Sequence, residues 1–235
     1  YFKYIYSKGV GTTGPLTGPS AAGFGAWQIA DWDGDGFEDA IAVKSTTATW
    51  HLMRSNGLSF DSPTDTGIQY GTTATSIQVM DVNGDALDDL GYKNSAGGWS
   101  YYLHSLNTAL PDLLASVQDG YGTSATFTYL PITNATVYTK GTGTPSTMID
   151  VNAGRWLVSQ LACTDGSGGT SQATVTYSYE GARKDAQGRG WMGFAKRTSI
   201  DNALGHSLKT VEIYRQDFPY IGALLSNELQ QSNGT

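Results

Sequence analysis

The sequence Asp31-Trp32-Asp33-Gly34-Asp35-Gly36-Phe37-Glu38-Asp39 places carboxylates at positions 1, 3, 5 and 9 of one short loop. Ca²⁺ prefers hard oxygen ligands in a flexible sphere, and alternate side chains plus one backbone carbonyl can converge on it when the chain curls. Gly34 and Gly36 provide the freedom to curl. We therefore predict a calcium site whose ligands are Asp31, Asp33, Asp35, the carbonyl of Phe37, and Asp39.

The same pattern recurs fifty residues later as Asp81-Val82-Asn83-Gly84-Asp85-Ala86-Leu87-Asp88-Asp89. This loop predicts a second calcium site, with ligands Asp81, Asn83, Asp85, the carbonyl of Leu87, and Asp89. Ala86 stands where the first loop has Gly36, so a left-handed backbone there would cost about 1 kcal/mol. We expect the second site to bind more weakly. We also expect the side chains of Phe37 and Leu87 to enter the core, and those of Glu38 and Asp88 to face solvent.

Alternating apolar residues lead into both loops, Trp27 and Ile29 before the first and Ile77 and Val79 before the second. After each loop an apolar run is followed by an aromatic strand, over residues 49–53 and 99–103. Alternation with a period of two is typical of strands, and a fixed long period is typical of repeat architectures. Each repeat is therefore predicted to be strand, acidic loop, strand, turn, strand.

Composition favours an all-β protein and argues against nucleic acid as a partner. The chain has 235 residues, of which 30 are glycine and only 15% are charged. Its formal charge is -7, and most of this net negative charge lies in the first hundred residues, which hold 11 acids and 5 bases. Nucleic acid is an unsuitable partner because no basic stripe could displace counterions. A single cysteine, Cys163, excludes an intrachain disulfide. The sequence contains no apolar run of about 18 residues, so it predicts no membrane-spanning segment.

The second half of the chain reads as a series of hairpins that end in similar Thr- and Tyr-rich strands. The predicted strand pairs are 113–117 with 124–129, 157–164 with 173–179, and 194–200 with 208–214, joined by turns at 119–122, 165–169 and 201–205. A fourth hairpin begins at 224–231, with a turn at Asn233-Gly234. Residues 1–6 read as a strand without a partner before it, so we expect the chain to be an excerpt of a longer protein. The Thr-rich residues 131–153 read as a surface loop or a loosely ordered flap.

The repeated motif D-x-[DN]-G-D-x-x-x-D between aromatic strands resembles the FG-GAP or VCBS repeats that form blades of integrin-type β-propellers. The second half resembles the region that follows such repeats in bacterial Tc-toxin B subunits, Salmonella virulence plasmid B-type proteins, and Rhs or YD-repeat proteins. The residues that carry this second resemblance are 110–114, 119–122 with 126–129, 188–194 (Gly-Arg-Gly-Trp-Met-Gly-Phe), 214–219 and 221–222.

These resemblances imply an all-β fold: a partial β-propeller over residues 1–109, followed by an Rhs-type antiparallel β-hairpin sheet over 110–235. They imply a non-enzymatic, calcium-binding scaffold fragment of a bacterial toxin-delivery protein that is secreted or on the cell surface. Its sheet would join a β-shell that encloses a C-terminal cargo. The expected partners are the remainder of the toxin polypeptide and its cargo, with a toxin-complex subunit or a host-surface ligand as further candidates.

The sequence leaves two other functions open beside the scaffold. One is a calcium-dependent adhesin whose propeller face binds a glycan or protein. The other is a glycoside hydrolase, which needs two acids facing one cleft. The hydrolase is disfavoured because the clustered acids have ligand spacing, and because His51, His104 and His206 are scattered along the chain. Arg189, Trp191 and Phe194 could form a binding cage, but a packed corner between hairpins is the simpler interpretation.

Overall fold

The computed structural model describes residues 3–4, 16–17, 22–70, 76–93, 96–104, 113–164, 172–202 and 207–232. Within these residues every regular element is a β-strand, so the predicted all-β class is confirmed. No helix among them is long and apolar enough to cross a membrane. Most of the predicted strand at residues 1–6, residues 110–112, the turn at 165–169 and the turn at 233–234 lie outside the described residues.

The chain divides into two compact units. The first unit is formed by the described residues of 1–83 and 87–112, and the second by 84–86 and those of 113–235. The strands of the first unit are β1 (Lys3–Tyr4), β2 (Leu16–Thr17), β3 (Phe24–Ala30), β4 (Asp39–Lys44), β5 (Thr49–Met53), β6 (Thr64–Gln69), β7 (Ser76–Met80), β8 (Asp89–Lys93) and β9 (Trp99–Tyr102).

The described residues of the first unit form three antiparallel sheets: β1-β2, β3-β4-β5-β6 and β7-β8-β9. The first acidic loop joins β3 to β4 and the second joins β7 to β8. The predicted strands around both loops are therefore confirmed. Strand β6 was not predicted, because its sequence Thr-Asp-Thr-Gly-Ile-Gln contains a single large apolar residue.

The core of the first unit lies between its two larger sheets. Ile41 and Val43 of β4 share one face with their cross-strand partners Leu52 and Trp50 of β5. All four are buried in one cluster with Leu90 of β8. Burying each large apolar side chain contributes about 1.5–3 kcal/mol, so this contact holds the two sheets together. On the other face of the first sheet, a smaller cluster is formed by Ala40, Ala42 and Met53 under Phe24, Trp27 and Phe60.

The second unit contains one long sheet with the order β10-β11-β14-β15-β18-β19-β20 and a three-stranded sheet, β13-β16-β17. Its strands are β10 (Ser116–Gln118), β11 (Ser124–Pro131), β12 (Tyr138–Thr139), β13 (Met148–Asp150), β14 (Trp156–Thr164), β15 (Gln172–Glu180), β16 (Arg183–Asp185), β17 (Trp191–Gly193), β18 (Lys196–Asp201), β19 (Ser207–Tyr214) and β20 (Leu224–Ser232). Neighbouring strands of the long sheet run antiparallel, and only the short β12 pairs parallel, with β15. The first three predicted hairpins are confirmed as pairs of strands, and the predicted strand of the fourth is present as β20.

Most of the segment 131–153 is turn and loop at the surface, as predicted, but three of its residues belong to the core of the second unit. Ile132, Val137 and Tyr138 are buried in one cluster with Leu157 and Ala182. The Tyr138 hydroxyl donates to the carbonyl of Val151 and accepts from the amide of Ala182, both at 3.1 Å. The sequence does not predict the burial of these three residues, because the few apolar residues of this segment have irregular spacing and lie between many threonines.

The aromatic residues near the glycine-rich turn form the packed corner that the sequence favoured. The ring of Phe194 lies 5.3 Å from Trp191 and 4.7 Å from Tyr179. The guanidinium of Arg155 stacks over Trp191 at 4.3 Å, and that of Arg189 lies 5.0 Å from the ring of Phe218. Aromatic and cation–π contacts of this kind fill space between strands.

A buried amide links separate segments of the second unit. The side-chain amide of Gln216 donates to the carbonyls of Gly181 and Gly193 at 2.7 and 2.8 Å, and its oxygen accepts from Arg183 at 3.2 Å. Arg183 in turn donates to the carbonyl of Thr142 at 3.0 Å and pairs with Asp150 at 3.5 Å. The Gln216 side chain therefore joins the loop after β19 to β16 and β17 through hydrogen bonds.

The substitution Gln216→Leu tests this link. It keeps the side-chain volume but removes three hydrogen bonds, each of which contributes about 0.5–1.5 kcal/mol or more where a charged group takes part. The Gly181 carbonyl keeps the amide of Ala195, and Arg183 keeps Thr142 and Asp150. We expect the free energy of unfolding, measured with denaturant, to fall by about 2–4 kcal/mol. The control is Lys140→Ala, which removes an exposed partner of Asp150. That change should cost less than about 1 kcal/mol, and an equal loss from both variants would contradict the assignment.

Candidate metal centre in the first acidic loop

Three of the predicted ligands lie together in the first acidic loop. One carboxylate oxygen from each of Asp31, Asp33 and Asp35 lies within 4.8 Å of the other two. The loop curls around them because Gly34 and Gly36 have φ angles of 75° and 87°. This left-handed region carries no steric penalty for glycine. The alternation of acids at positions 1, 3 and 5 thus becomes a cluster on one side of the curl.

One oxygen of each carboxylate is already held by the protein. Asp31 Oδ2 accepts the amide of Gly36 at 2.9 Å, and Asp35 Oδ1 accepts the amide of Phe37 at 2.8 Å. Asp33 Oδ2 lies 3.3 Å from Nε of Arg54. These contacts orient the three groups before any ligand arrives. The contribution of Arg54 was not predicted, because the corresponding residue of the second repeat is an apolar leucine, Leu103.

The remaining oxygens of two of these groups fit a cation. Asp31 Oδ1 and Asp33 Oδ1 are buried and have no hydrogen-bond partner among the described residues. Burial, together with the nearby Asp35 charge, raises the pKa of Asp33 above its ordinary value, against the opposing effect of Arg54. A divalent ion would satisfy both oxygens and offset the repulsion. Ca²⁺ needs six to eight oxygens, so the Phe37 carbonyl and water would complete the sphere.

The ninth residue of the loop, Asp39, has a different environment. Its side chain is fully buried, with Oδ2 accepting the amide of Trp32 at 3.2 Å and Oδ1 accepting the amide of Ser55 at 2.7 Å. Burial raises its pKa to about 6, although the two amides act in the opposite direction. Asp39 therefore ties the start of the loop to the end of β5. Each oxygen keeps a second lone pair, and its role as a metal ligand stays a prediction.

In the second loop the ninth residue, Asp89, makes the same pair of hydrogen bonds as Asp39 does in the first. The described acids of the second loop do not form a carboxylate cluster like that of Asp31, Asp33 and Asp35. Asp89 Oδ2 accepts the amide of Val82 at 2.9 Å, and its Oδ1 accepts the amide of His104 at 2.6 Å. In the described part of the chain, no set of three acids from this loop comes as close together as the first cluster. Asp81, Asn83, Asp85 and the Leu87 carbonyl stay predicted ligands of a second, weaker site.

The structure corrects two smaller expectations about these loops. Phe37 is 41% exposed and does not enter the core, because its ring lies against Gly57. Leu87 is buried, as predicted. Glu38 is exposed as expected, whereas Asp88 is half-buried, and burial followed by the Glu38 and Asp31 charges raises its pKa. Glu38 and Asp88, the two acids outside the predicted ligand positions, therefore differ in burial.

The expected backbone strain at Ala86 is present, with a φ of 69°. Ala86→Gly should therefore raise the free energy of unfolding by about 0.5–1 kcal/mol, measured by denaturant titration in chelator. The reciprocal change Gly36→Ala introduces a methyl group that meets nothing within 4 Å, so only the backbone is strained. It should lower the free energy of unfolding by about 1 kcal/mol. Two changes of the same sign would refute the left-handed assignment.

Comparison with known proteins identifies the family. The model of a family described as the insecticide toxin TcdB middle/N-terminal region matches residues 54–216, which is more than half of the chain. The chain belongs to this family. No curated protein sequence matches it. The matched residues run from the end of the first repeat through the second acidic loop and most of the long sheet.

Solved toxin structures share the fold of this TcdB-family chain. A crystal structure of TcdB2-TccC3-Cdc42 matches with a TM-score of 0.59 and 21% identity over 82% of the chain. The Photorhabdus luminescens Tc holotoxin pore carrying a TccC3 mutation matches with a TM-score of 0.61 and 18% identity over 88% of the chain. A crystal structure of TcdB2-TccC3-TEV matches with a TM-score of 0.60 and 21% identity over 88%. In each case the chain spans 10% of the matched chain.

Proposed function

We propose that this chain is a non-enzymatic wall segment of a secreted bacterial toxin shell of the Tc-toxin B type. In this proposal the long sheet helps to enclose a C-terminal cargo polypeptide. The acidic-loop sheets belong to an adjoining propeller of the FG-GAP type. The first acidic loop holds a structural Ca²⁺, and the second loop holds another more weakly.

The observation that carries the proposal is the long sheet within the matched family region. Seven strands follow one another in chain order from β10 to β20, and each new hairpin adds to the same growing edge, around the inserted β12, β13, β16 and β17. Such growth extends a wall without interrupting its hydrogen bonds, and interior strands then expose no unpaired edge. A continuous wall is the form required to keep an unfolded chain away from solvent.

The charged groups of the second unit also support a scaffold. Arg183 and Asp150 lie in the Gln216 network, and Asp185 accepts the backbone amide of Arg189 at 3.1 Å. Arg197 and Glu212 are direct cross-strand partners whose side chains are joined at 2.7 Å. These groups are paired with one another or with backbone, and their contacts fix strands and turns.

Calcium binding can be tested by its effect on thermal stability. An ion that binds only the folded state at 100 times its dissociation constant stabilises by about 2.7 kcal/mol. We expect Ca²⁺ at millimolar concentration to raise the melting temperature measured by calorimetry, and chelator to reverse the rise. Terbium should bind the same loop and be sensitised by Trp32, which is buried beside it.

The substitution Asp33→Asn tests the same site, because its effect on the melting temperature should differ between chelator and calcium. Without a cation the raised pKa shows that the Asp33 charge is unfavourable, so the variant should melt at the same temperature as the parent protein or higher in chelator. In calcium it should melt lower, because a ligand is lost. The control Asp61→Asn removes an exposed acid of the same unit and should leave the calcium shift intact. A calcium shift that survives Asp33→Asn, or no shift in the parent protein, would reject the site.

Containment can be tested in the full-length toxin polypeptide. We expect limited proteolysis to cut the C-terminal cargo at least about tenfold more slowly inside the intact polypeptide than when the cargo is expressed alone, because cleavage follows the population of open states. Gln216→Leu in this segment should increase the cleavage rate, and Lys140→Ala should not. Equal cleavage of free and enclosed cargo would refute containment while leaving the calcium measurements unaffected.

A further inference from the structure

A basic side chain lies beside the three clustered acids of the first loop and binds one oxygen of a carboxylate. Arg54 Nε lies 3.3 Å from Asp33 Oδ2. The second oxygen, Asp33 Oδ1, is buried and has no hydrogen-bond partner among the described residues, and the same holds for Asp31 Oδ1. A guanidinium group can bind both oxygens of a carboxylate at once. Here it holds one oxygen and leaves the other to the cluster.

The position of Arg54 follows from the closure of the loop. Arg54 directly follows β5, and backbone hydrogen bonds hold this part of the chain. The amide of the next residue, Ser55, donates to Asp39 Oδ1 at 2.7 Å, and the carbonyl of Arg54 accepts the amide of Asp61 at 2.8 Å. Because Asp39 is the ninth residue of the loop, the carboxylate that anchors the loop also fixes the backbone from which Arg54 reaches Asp33.

The second repeat has the same anchor without the basic residue. Asp89 Oδ1 accepts the amide of His104 at 2.6 Å, so the preceding residue, Leu103, corresponds to Arg54. Among the described acids, only those of the first loop come together as a group of three. The clustered carboxylates and the basic side chain therefore occur in the same loop.

The charge of Arg54 matters more to a bound cation than to folding. A partly exposed ion pair contributes little to folding stability, because water screens it and both side chains lose freedom. The energy between two charges grows with their product, so a divalent or trivalent ion at the same carboxylate is repelled two or three times as strongly as a single charge. A guanidinium group stays protonated in proteins, so this repulsion is permanent.

The shape of the loop does not depend on Arg54. Gly34 and Gly36 make the curl with their left-handed φ angles. Asp31 and Asp35 accept amides of the loop itself. Removing the Arg54 charge should therefore leave the carboxylates in place and take away the repulsion.

We propose that Arg54 tunes the cation affinity of the first acidic loop: its charge, held at Asp33, weakens the binding of each cation in proportion to the charge of that cation. The inference rests on the proposed calcium site and goes beyond it, because it assigns the strength of binding to a residue that is not a ligand. By keeping the affinity low, Arg54 places the filling of the loop toward the millimolar calcium range in which extracellular calcium modules work.

The substitution Arg54→Met tests the proposal, because it removes the charge and keeps most of the side-chain length. At 0.1 M salt, where charges act over about 10 Å, a water-like dielectric gives a change of about threefold in affinity for each unit of ion charge. We therefore expect Ca²⁺ to bind about tenfold more tightly and Tb³⁺ about thirtyfold more tightly. Calorimetry measures the first affinity, and terbium luminescence sensitised by Trp32 measures the second.

Displacement of bound Tb³⁺ by Ca²⁺ isolates the effect of charge. A change in the shape of the loop acts on both ions, whereas a change in charge acts more strongly on the trivalent ion. Arg54→Met should therefore need about three times more calcium to displace terbium than the parent protein does. Near-ultraviolet circular dichroism of each variant in chelator establishes that the sheets are folded.

Two matched variants serve as controls. Arg54→Lys keeps the charge with a different head group, so both affinities should stay within about twofold of the parent values. Lys44→Met removes a cation from the other end of β4, where it lies beyond the screening length from the loop, and should change neither affinity.

The possible failures are distinguishable. Weaker or unchanged calcium binding in Arg54→Met, or an unchanged displacement of terbium by calcium, would overturn the role of Arg54 and leave the calcium site standing. An equal gain of affinity in Lys44→Met would also overturn it, because the effect would then belong to the net charge of the chain. A parent protein that binds neither ion would reject the calcium site and this inference together.

Discussion

Two buried carboxylates hold the first unit together. Asp39 and Asp89 are fully buried, and each accepts one amide from the start of its own loop and one from the second residue after the third strand of its sheet. A hydrogen bond to a charged group contributes about 1.5–3 kcal/mol, roughly twice the neutral value. The same pair of contacts therefore closes one end of both sheets, in a unit whose described residues contain no disulfide.

The position of Asp39 determines the chemistry of the rest of the loop. Because its ninth residue is anchored in the core, the loop has to turn within eight residues, and Asp31, Asp33 and Asp35 are brought within 4.8 Å of one another. Arg54 offsets part of the repulsion at the exposed edge, but two buried oxygens remain without a donor. Strand closure and the clustering of carboxylates in the first loop thus have one cause, since the anchor that joins the strands also concentrates the charge.

The sequence predicted the parts of the fold that local patterns determine, and it missed those that depend on distant neighbours. Strands with a period of two and the paired acidic loops are local, so they were recovered along both units. The burial of Ile132 and Val137 was missed because their contacts lie on segments far along the chain. For the same reason the pattern could show that Asp39 belongs to the loop, but not that Ser55 and Trp32 hold both of its oxygens.

Charged side chains are arranged differently in the two units, and this explains why the net negative charge is distributed so unevenly along the chain. In the long sheet the charges occur as cross-strand pairs, with Arg197 facing Glu212 and Lys196 bonded to Glu180. Cross-strand pairs of opposite charge stabilise a sheet and leave it neutral, so both faces can be partly buried without an added ion. The acidic loop gathers charges of one sign, with Arg54 as a counter-charge at Asp33. Under the proposal of a calcium site, the stability of the first unit depends on the surrounding cations, whereas the long sheet carries its counter-charges within its own strands.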